Sequence, residues 1–276
     1  MEDNPHFVFL ADPFSFQGED FLAGVDFAYP NSKKVGGLAS GAQAQGGNAM
    51  YLGDKIYNSG LIGIALSGDV EVDTIVAQGC RPIGEPMQIT QCEHNLLKEL
   101  AGRPPLEILH ELNETLSDAD KKLIQTSLFL GIEMDPMKDN PQQGDFLIRN
   151  LMGVDRESGA VAIGAQLRNG QLVQFHLRDK KMSAEDLDVM LTRYLNQGNA
   201  ENAKGALLFS CLGRGEYLYG KPNHDTDMFQ GKLGKIPLGG FFCNGEIGPV
   251  GKTTFLHGYT SSFGIFRSAR RGADKK

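Results

Sequence analysis

Residues 238–266 read LGGFFCNGEIGPVGKTTFLHGYTSSFGIF, and a looser version of the same order lies near the start of the chain. VGGLASG at 35–41 matches LGGFFCNG at 238–245, AMYLG at 49–53 matches TFLHG at 254–258, and SGLIGI at 59–64 matches SSFGI at 261–265. An apolar, strand-like run precedes each set, HFVFLA at 6–11 and ALLFSC at 206–211. Both copies keep one order: strand, helical spacer, Gly-Gly turn, strand, strand. The spacing between the third and fourth blocks differs, so this is no tandem array. The order predicts a duplicated strand-rich half, with copies related by a pseudo-twofold axis and one sheet face of each buried against the other. Chance similarity of Gly-rich apolar turns is the plain alternative, and four blocks in shared order speak against it. A cleft between two such halves is the expected ligand site.

Outside the repeat, 61–67 and 70–78 read as strands joined by a hairpin at Gly68-Asp69. Residues 78–86 (QGCRPIGEP) read as loop, with a strand resuming at 87–90. Helix-spaced apolar residues fill 105–116 and 117–124, and Ser117 ahead of Asp118 and Asp120 makes an acidic helix start. Residues 127–134 return to strand. Residues 145–153, 160–167 and 171–177 read as an antiparallel meander, with Asn169-Gly170 as a type I′ turn. Residues 183–195 form a helix capped by Ser183, and 205–210 a buried strand. Hairpins exclude a purely parallel doubly wound sheet. What is left is a mixed α/β (α+β) fold, with largely antiparallel sheets packed together and flanked by helices. The expected division is 1–140 and 141–276.

The chain has 276 residues, 41% of them hydrophobic, which is enough for a core and argues against wholesale disorder. Its 35 glycines follow no G-X-Y period, so collagen is excluded. The formal charge of −7 argues against a generic nucleic-acid binder. No run approaches a membrane span, and the first residues lack the pattern of a signal peptide. Four scattered cysteines make no disulfide framework, and no CxxC or HxxxH pair indicates a metal site. The expectation is a reduced, cytoplasmic protein with no metal or cofactor, no nucleic-acid partner and no membrane association.

The densest polar and glycine cluster is again 238–259. Gly239 and Gly240 permit close backbone approach, Asn244-Gly245 makes a tight turn, and Cys243 and Glu246 sit beside it. SCLGRG at 210–215 offers Ser210, Cys211 and Arg214, whose guanidinium suits a carboxylate or phosphate. QGCRPIG at 78–84 offers Cys80 and Arg81. Each has a plainer explanation: turn glycines, buried thiols, solvated or paired arginines, a surface glutamate, and His257 as a structural hydrogen-bonding residue. GKTT at 251–254 has the ending of a phosphate loop, but position 246 is Glu where that loop needs Gly. No nucleophile elbow or kinase signature occurs.

Several of these stretches resemble the FIST sensory domain family: VGGLASGA, QGCRPIGEP, GALLFSCLGRG, and most specifically IPLGGFFCNGEIGPVG with FLHGYTSSFGIF. The resemblance covers nearly the whole chain. It implies an intracellular small-ligand sensor, with amino acids or their derivatives as suggested ligands. Family members occur alone or joined to histidine kinases, methyl-accepting proteins or F-box proteins. It supplies no catalytic residue. It also implies an N-terminal FIST region lacking its first part and a complete C-terminal one. The expected ligand wall comprises Ser210, Cys211, Arg214, Gly239, Gly240, Cys243, Asn244, Gly245, Glu246 and His257. Arg214 would hold a ligand carboxylate and Glu246 its ammonium group. Two alternatives stand beside this: a thiol-dependent hydrolase or transferase using Cys243 or Cys211 with His257, and a protein-interaction module in a signalling or ubiquitin-ligase assembly.

Overall fold

The computed structural model describes residues 4–269. Its elements begin with β1 (His6–Ala11), α1 (Gly18–Ala28), β2 (Lys34–Leu38), β3 (Met50–Leu52), β4 (Lys55–Tyr57), β5 (Leu61–Leu66) and β6 (Glu71–Ala77). A middle stretch holds β7 (Cys80–Glu93), β8 (Leu96–Leu100), α2 (Pro105–Thr115), α3 (Asp118–Leu123), β9 (Leu128–Glu133), β10 (Phe146–Val154), β11 (Val161–Ile163), β12 (Leu172–Arg178) and α4 (Lys180–Asn196). The last part holds β13 (Ala203–Cys211), α5 (Glu216–Tyr219), α6 (His224–Leu233), β14 (Leu238–Cys243), β15 (Glu246–Val250), β16 (Thr253–His257) and β17 (Ser261–Arg267). Contacts divide the chain into two compact units, one of residues 79–183 and one combining the residues before and after it. The expected boundary at 140 falls in the loop between β9 and β10, inside the middle unit.

The discontinuous unit is an α-β-β-α sandwich of mixed fold, as the sequence predicts. One sheet runs β16-β15-β2-β1-β5 and the other β14-β13-β17-β6. The repeat is visible in their centres. β1 pairs parallel with β2 and antiparallel with β5, and β13 pairs parallel with β14 and antiparallel with β17. Each parallel pair is joined through helical segments, as a parallel crossover requires. Val8, Val35, Phe209 and Cys243 meet between the sheets. Close approach there depends on missing side chains: a Cβ at Gly264 would lie 2.8 Å from Val35, and one at Gly37 only 2.3 Å from the Cys243 sulfur. On the outer faces, Leu22 of α1 packs on Phe9 and Ile247. Leu187, Leu191 and Tyr194 of α4 and Phe229 of α6 pack on Ile75, Ala206 and Phe263.

The Gly-Gly pairs are therefore not turns. Gly36 and Gly37 lie inside β2, and Gly239 and Gly240 inside β14. The hairpin expected at Gly68-Asp69 is also absent, because β5 joins β1 in one sheet and β6 joins β17 in the other.

The middle unit is a closed six-stranded barrel, in the order β10-β11-β8-β7-β12-β9, around Ile89, Leu97, Leu130, Val173 and Phe175. The stretch 80–86, expected as loop, is the start of β7, whose bulges absorb its irregular pattern. The meander is corrected too. β11 pairs with β10 and β8, while β12 pairs with β7 and β9, so Asn169-Gly170 joins non-adjacent strands. Gly170 takes φ 87°, but Asn169 is not in the left-handed region that a type I′ turn needs at both residues. The Asn169 side chain instead accepts a hydrogen bond from the Cys92 amide at 3.0 Å. The helix at 180–196 starts before Ser183. The Asp179 carboxylate accepts from the Met182 amide at 2.8 Å and caps it, and the Ser183 hydroxyl donates to the Gly79 carbonyl.

Candidate functional site

A cavity of about 450 Å³ opens in the sandwich unit beside the edge strand β14. Its floor comes from paired strands, Leu208 and Ser210 of β13 with the consecutive residues Leu238 to Phe242 of β14. Gly215, Glu216 and Pro222 form one side and the first turn of α6, Asn223 to Thr226, another. The two halves of the repeat differ at the strand that floors the cavity. In the other sheet the strand β2 is covered by β15, with Gly37 opposite Glu246 and Gly36 opposite Ile247. β14 is a sheet edge, and Gly239 and Gly240 are exposed.

Ser210 is 4% exposed, and its hydroxyl is one of few buried polar atoms without a hydrogen-bond partner among the described residues. Such a group costs stability unless something else meets it. A second cavity of about 290 Å³, on the barrel between Ile83, Met87, Leu112 and Phe175, is lined by no such atom.

Behind the cavity wall sits an ion-pair network. Arg214 is 1% exposed; its Nε donates to Asp225 at 2.8 Å and its Nη2 to the Tyr219 hydroxyl at 2.7 Å. Asp225 also accepts from the Ser261 hydroxyl at 2.6 Å and faces His224 Nδ1 at 3.0 Å. The His224 ring stacks on Tyr219 with centroids 3.5 Å apart. Burial alone would raise the Asp225 carboxyl, but the Arg214 charge and the surrounding donors bring it down to about 2. Asp225 is therefore ionised at neutral pH and neutralised by Arg214.

The predicted site residues separate into three groups. Ser210, Gly239 and Gly240 line the cavity. Arg214 lies behind it, spent on Asp225. The others gather on the far side of the strands or at the following turn. Cys211 and Cys243 are directly paired in register, and Cys243 faces Gly37 of the other sheet. Asn244 donates to the Ala39 carbonyl at 3.2 Å, and the Gly245 carbonyl accepts from the Leu38 amide at 2.8 Å, pinning the turn to the end of β2. Glu246 is buried and accepts from the Thr260 amide and hydroxyl at 3.1 and 2.8 Å. His257 lies opposite Glu246, and its Nε2 donates to the Gly248 carbonyl at 2.9 Å.

Burial, with the nearby Glu246 carboxylate and Cys211, pushes the Cys243 thiol well above its ordinary value. A thiol held protonated is a poor nucleophile. Arg81 is likewise occupied, in contact with Asp120 and Asp179. His224, Asp225 and Asn223 were not anticipated. The signal for them is Pro222-Asn223 followed by His-Asp-Thr-Asp, a breaker and then the acidic first turn of a helix.

Fold and register together define a mixed α/β sandwich built on two strand-rich repeats, with β14 at the edge of its sheet. The FIST N domain model matches residues 2–103 and the FIST C domain model residues 106–249, and the chain belongs to the FIST family. FIST domains are sensory domains in signal transduction. The N-terminal match starts at residue 2, which corrects the expectation that this region lacks its first part. Among relatives, the uncharacterized protein Rv0628c of Mycobacterium tuberculosis is 38% identical over 259 residues, covering 94% of this chain and 67% of its own. The uncharacterized protein Mb0898c of Mycobacterium bovis matches with the same identity and coverage. The F-box/LRR-repeat protein At5g63520 of Arabidopsis thaliana is 25% identical over 142 residues, covering 46% of this chain and 27% of its own. No described helix is long and apolar enough to cross a membrane.

Proposed function

We propose that this chain is a cytoplasmic sensory protein that binds an amino acid or a related small metabolite in the cavity beside β14. The observation that carries this reading is the buried Ser210 hydroxyl, without a partner among the described residues, in the wall of a part-apolar cavity. Proteins retain such groups at functional sites at a cost in stability. Ser210→Ala is therefore expected to stabilise the free protein by about 1–2 kcal/mol, since it removes a hydroxyl with no partner. The same variant is expected to weaken ligand binding. Thermal-shift screening against amino acids and small metabolites up to millimolar concentration tests the reading directly. Absence of any shift, together with a Ser210→Ala protein no more stable than the parent, would remove its support.

A protein-docking reading is favoured by one separate observation. The β3–β4 hairpin exposes Tyr51 (67%), Leu52 (44%) and Ile56 (58%). On this reading Ile56→Lys abolishes binding to a signalling partner and leaves ligand-induced stabilisation unchanged; an unaffected interaction rejects it.

A further inference from the structure

Resting on the cavity reading above, we infer that the cavity carries an anion subsite, built by the first turn of α6 and the Ser210 hydroxyl, that selects ligands bearing a free carboxylate. Two independent features converge there. α6 is a ten-residue helix whose cap Asn223 and opening residues His224, Asp225 and Thr226 all line the cavity. The first N–H groups of a helix have no acceptor within it, and they carry the positive end of its dipole. Asn223 precedes them in the left-handed region at φ 58°, and its side chain makes no capping hydrogen bond. These donors are left for a ligand.

Ser210 supplies the second feature. It lies on the same face of β13 as the cavity-lining Leu208, 4% exposed, with its hydroxyl unpartnered among the described residues. A hydroxyl buried in this way is completed by an acceptor, and a carboxylate oxygen is one.

The first turn of α6 holds two acidic residues, Asp225 and Asp227; Asp227 is exposed and outside the cavity lining, and Asp225 does not spoil the site. Asp225 is held by Arg214 at 2.8 Å, by Ser261 at 2.6 Å and against His224 at 3.0 Å, so the pair with Arg214 presents no net charge. Glu216 is the remaining acidic side chain of the lining, and it is exposed. It suits an ammonium group where the ligand has one, and it is not required for one that lacks it. Leu208, Leu238, Pro222 and Phe242 offer an apolar surface to the ligand body.

The arrangement differs from the sequence expectation in its donor. Arg214 is the obvious partner for a carboxylate, yet it already faces Asp225. Main-chain donors and a hydroxyl take its place.

Matched acids and amides test the subsite: L-leucine against L-leucinamide, and phenylacetate against phenylacetamide, by thermal shift and calorimetry. The acids are expected to bind and their amides to bind at least about tenfold more weakly, the size of a hydrogen bond to a charged group. Ser210→Ala is expected to weaken acid binding by a similar factor. Asn223→Asp places a carboxylate at the helix cap, where it favours the helix and competes with the ligand; it is expected to abolish acid binding with no loss of Tm. Equal binding of acids and amides overturns the subsite and leaves the cavity as a ligand site. So does a neutral metabolite retained in the cavity by protein purified from cells, with no response to either acid. Silence from both probe series and from every other metabolite screened rejects the subsite and the cavity reading together.

Discussion

Replacing Asp225 with alanine is expected to destabilise the protein by about 3–5 kcal/mol, the cost of leaving a buried charge without its partner. The Arg214 side chain is 0% exposed, and Asp225 receives its Nε at 2.8 Å and its Nη2 at 3.3 Å. Removing the carboxylate strands the guanidinium inside the loop between β13 and α5 and frees the Ser261 hydroxyl as well. Replacing both members of the pair by apolar residues of similar volume is expected to cost far less, because no charge is then buried alone. The ion pair also fixes an acid limb of stability. The folded carboxyl lies at about 2, below its ordinary 3.8. A depressed carboxyl contributes stability above the ordinary value and loses it as pH falls through the folded one. Urea unfolding at pH 7 and at steps between about pH 4 and pH 2 is expected to show that loss in the parent protein and a shallower slope in Asp225→Asn. Parallel slopes, or an Asp225→Ala protein within about 1 kcal/mol of the parent, would show that Arg214 is not held in this way.

That network also marks how far the sequence could be read. The first strand at 6–11 and the helix at 105–115 were legible because their apolar spacing is local. The repeat was legible as an order of blocks, and its centre is indeed two strand pairs of like topology. The barrel was not, because its pairings are distant in sequence. β7 meets β12 some ninety residues later, and Pro82 and Gly84 within it give the composition of a loop. The Gly-Gly pairs carry the same ambiguity, since glycine marks a turn and a close strand contact equally well. At the candidate site, Gly239 and Gly240 were visible in one polar, glycine-rich cluster and Ser210 in a second. The burial of Arg214 was not, because the residue that satisfies it lies eleven positions away on a helix with little apolar pattern. A basic side chain in a Gly-rich loop reads as available until its partner is placed.

The glycine requirement inside the strands yields the second large effect. Gly36→Ala is expected to cost more than about 4 kcal/mol, at the exceptional end for a single methyl group. Its Cβ would stand 1.9 Å from the Phe9 carbonyl oxygen, 2.8 Å from the carbonyl carbon and 3.0 Å from the Phe9 nitrogen. All three are backbone atoms of β1, so no side-chain rotation relieves the overlap. β2 is buried along all five residues and flanked by β1 and β15, so it cannot move outward either. Gly240 presents the same overlap with its neighbour, 1.9 Å from the Leu208 carbonyl oxygen, and adds a φ of 146° that side chains rarely adopt. Its strand is an exposed edge, however, and can shift away from β13. Gly240→Ala is therefore expected to cost less than Gly36→Ala in denaturant unfolding, while the displaced strand alters the cavity floor and lowers ligand affinity. The ordering is what matters: a Gly240→Ala protein less stable than Gly36→Ala would mean that β14 is clamped along its outer edge.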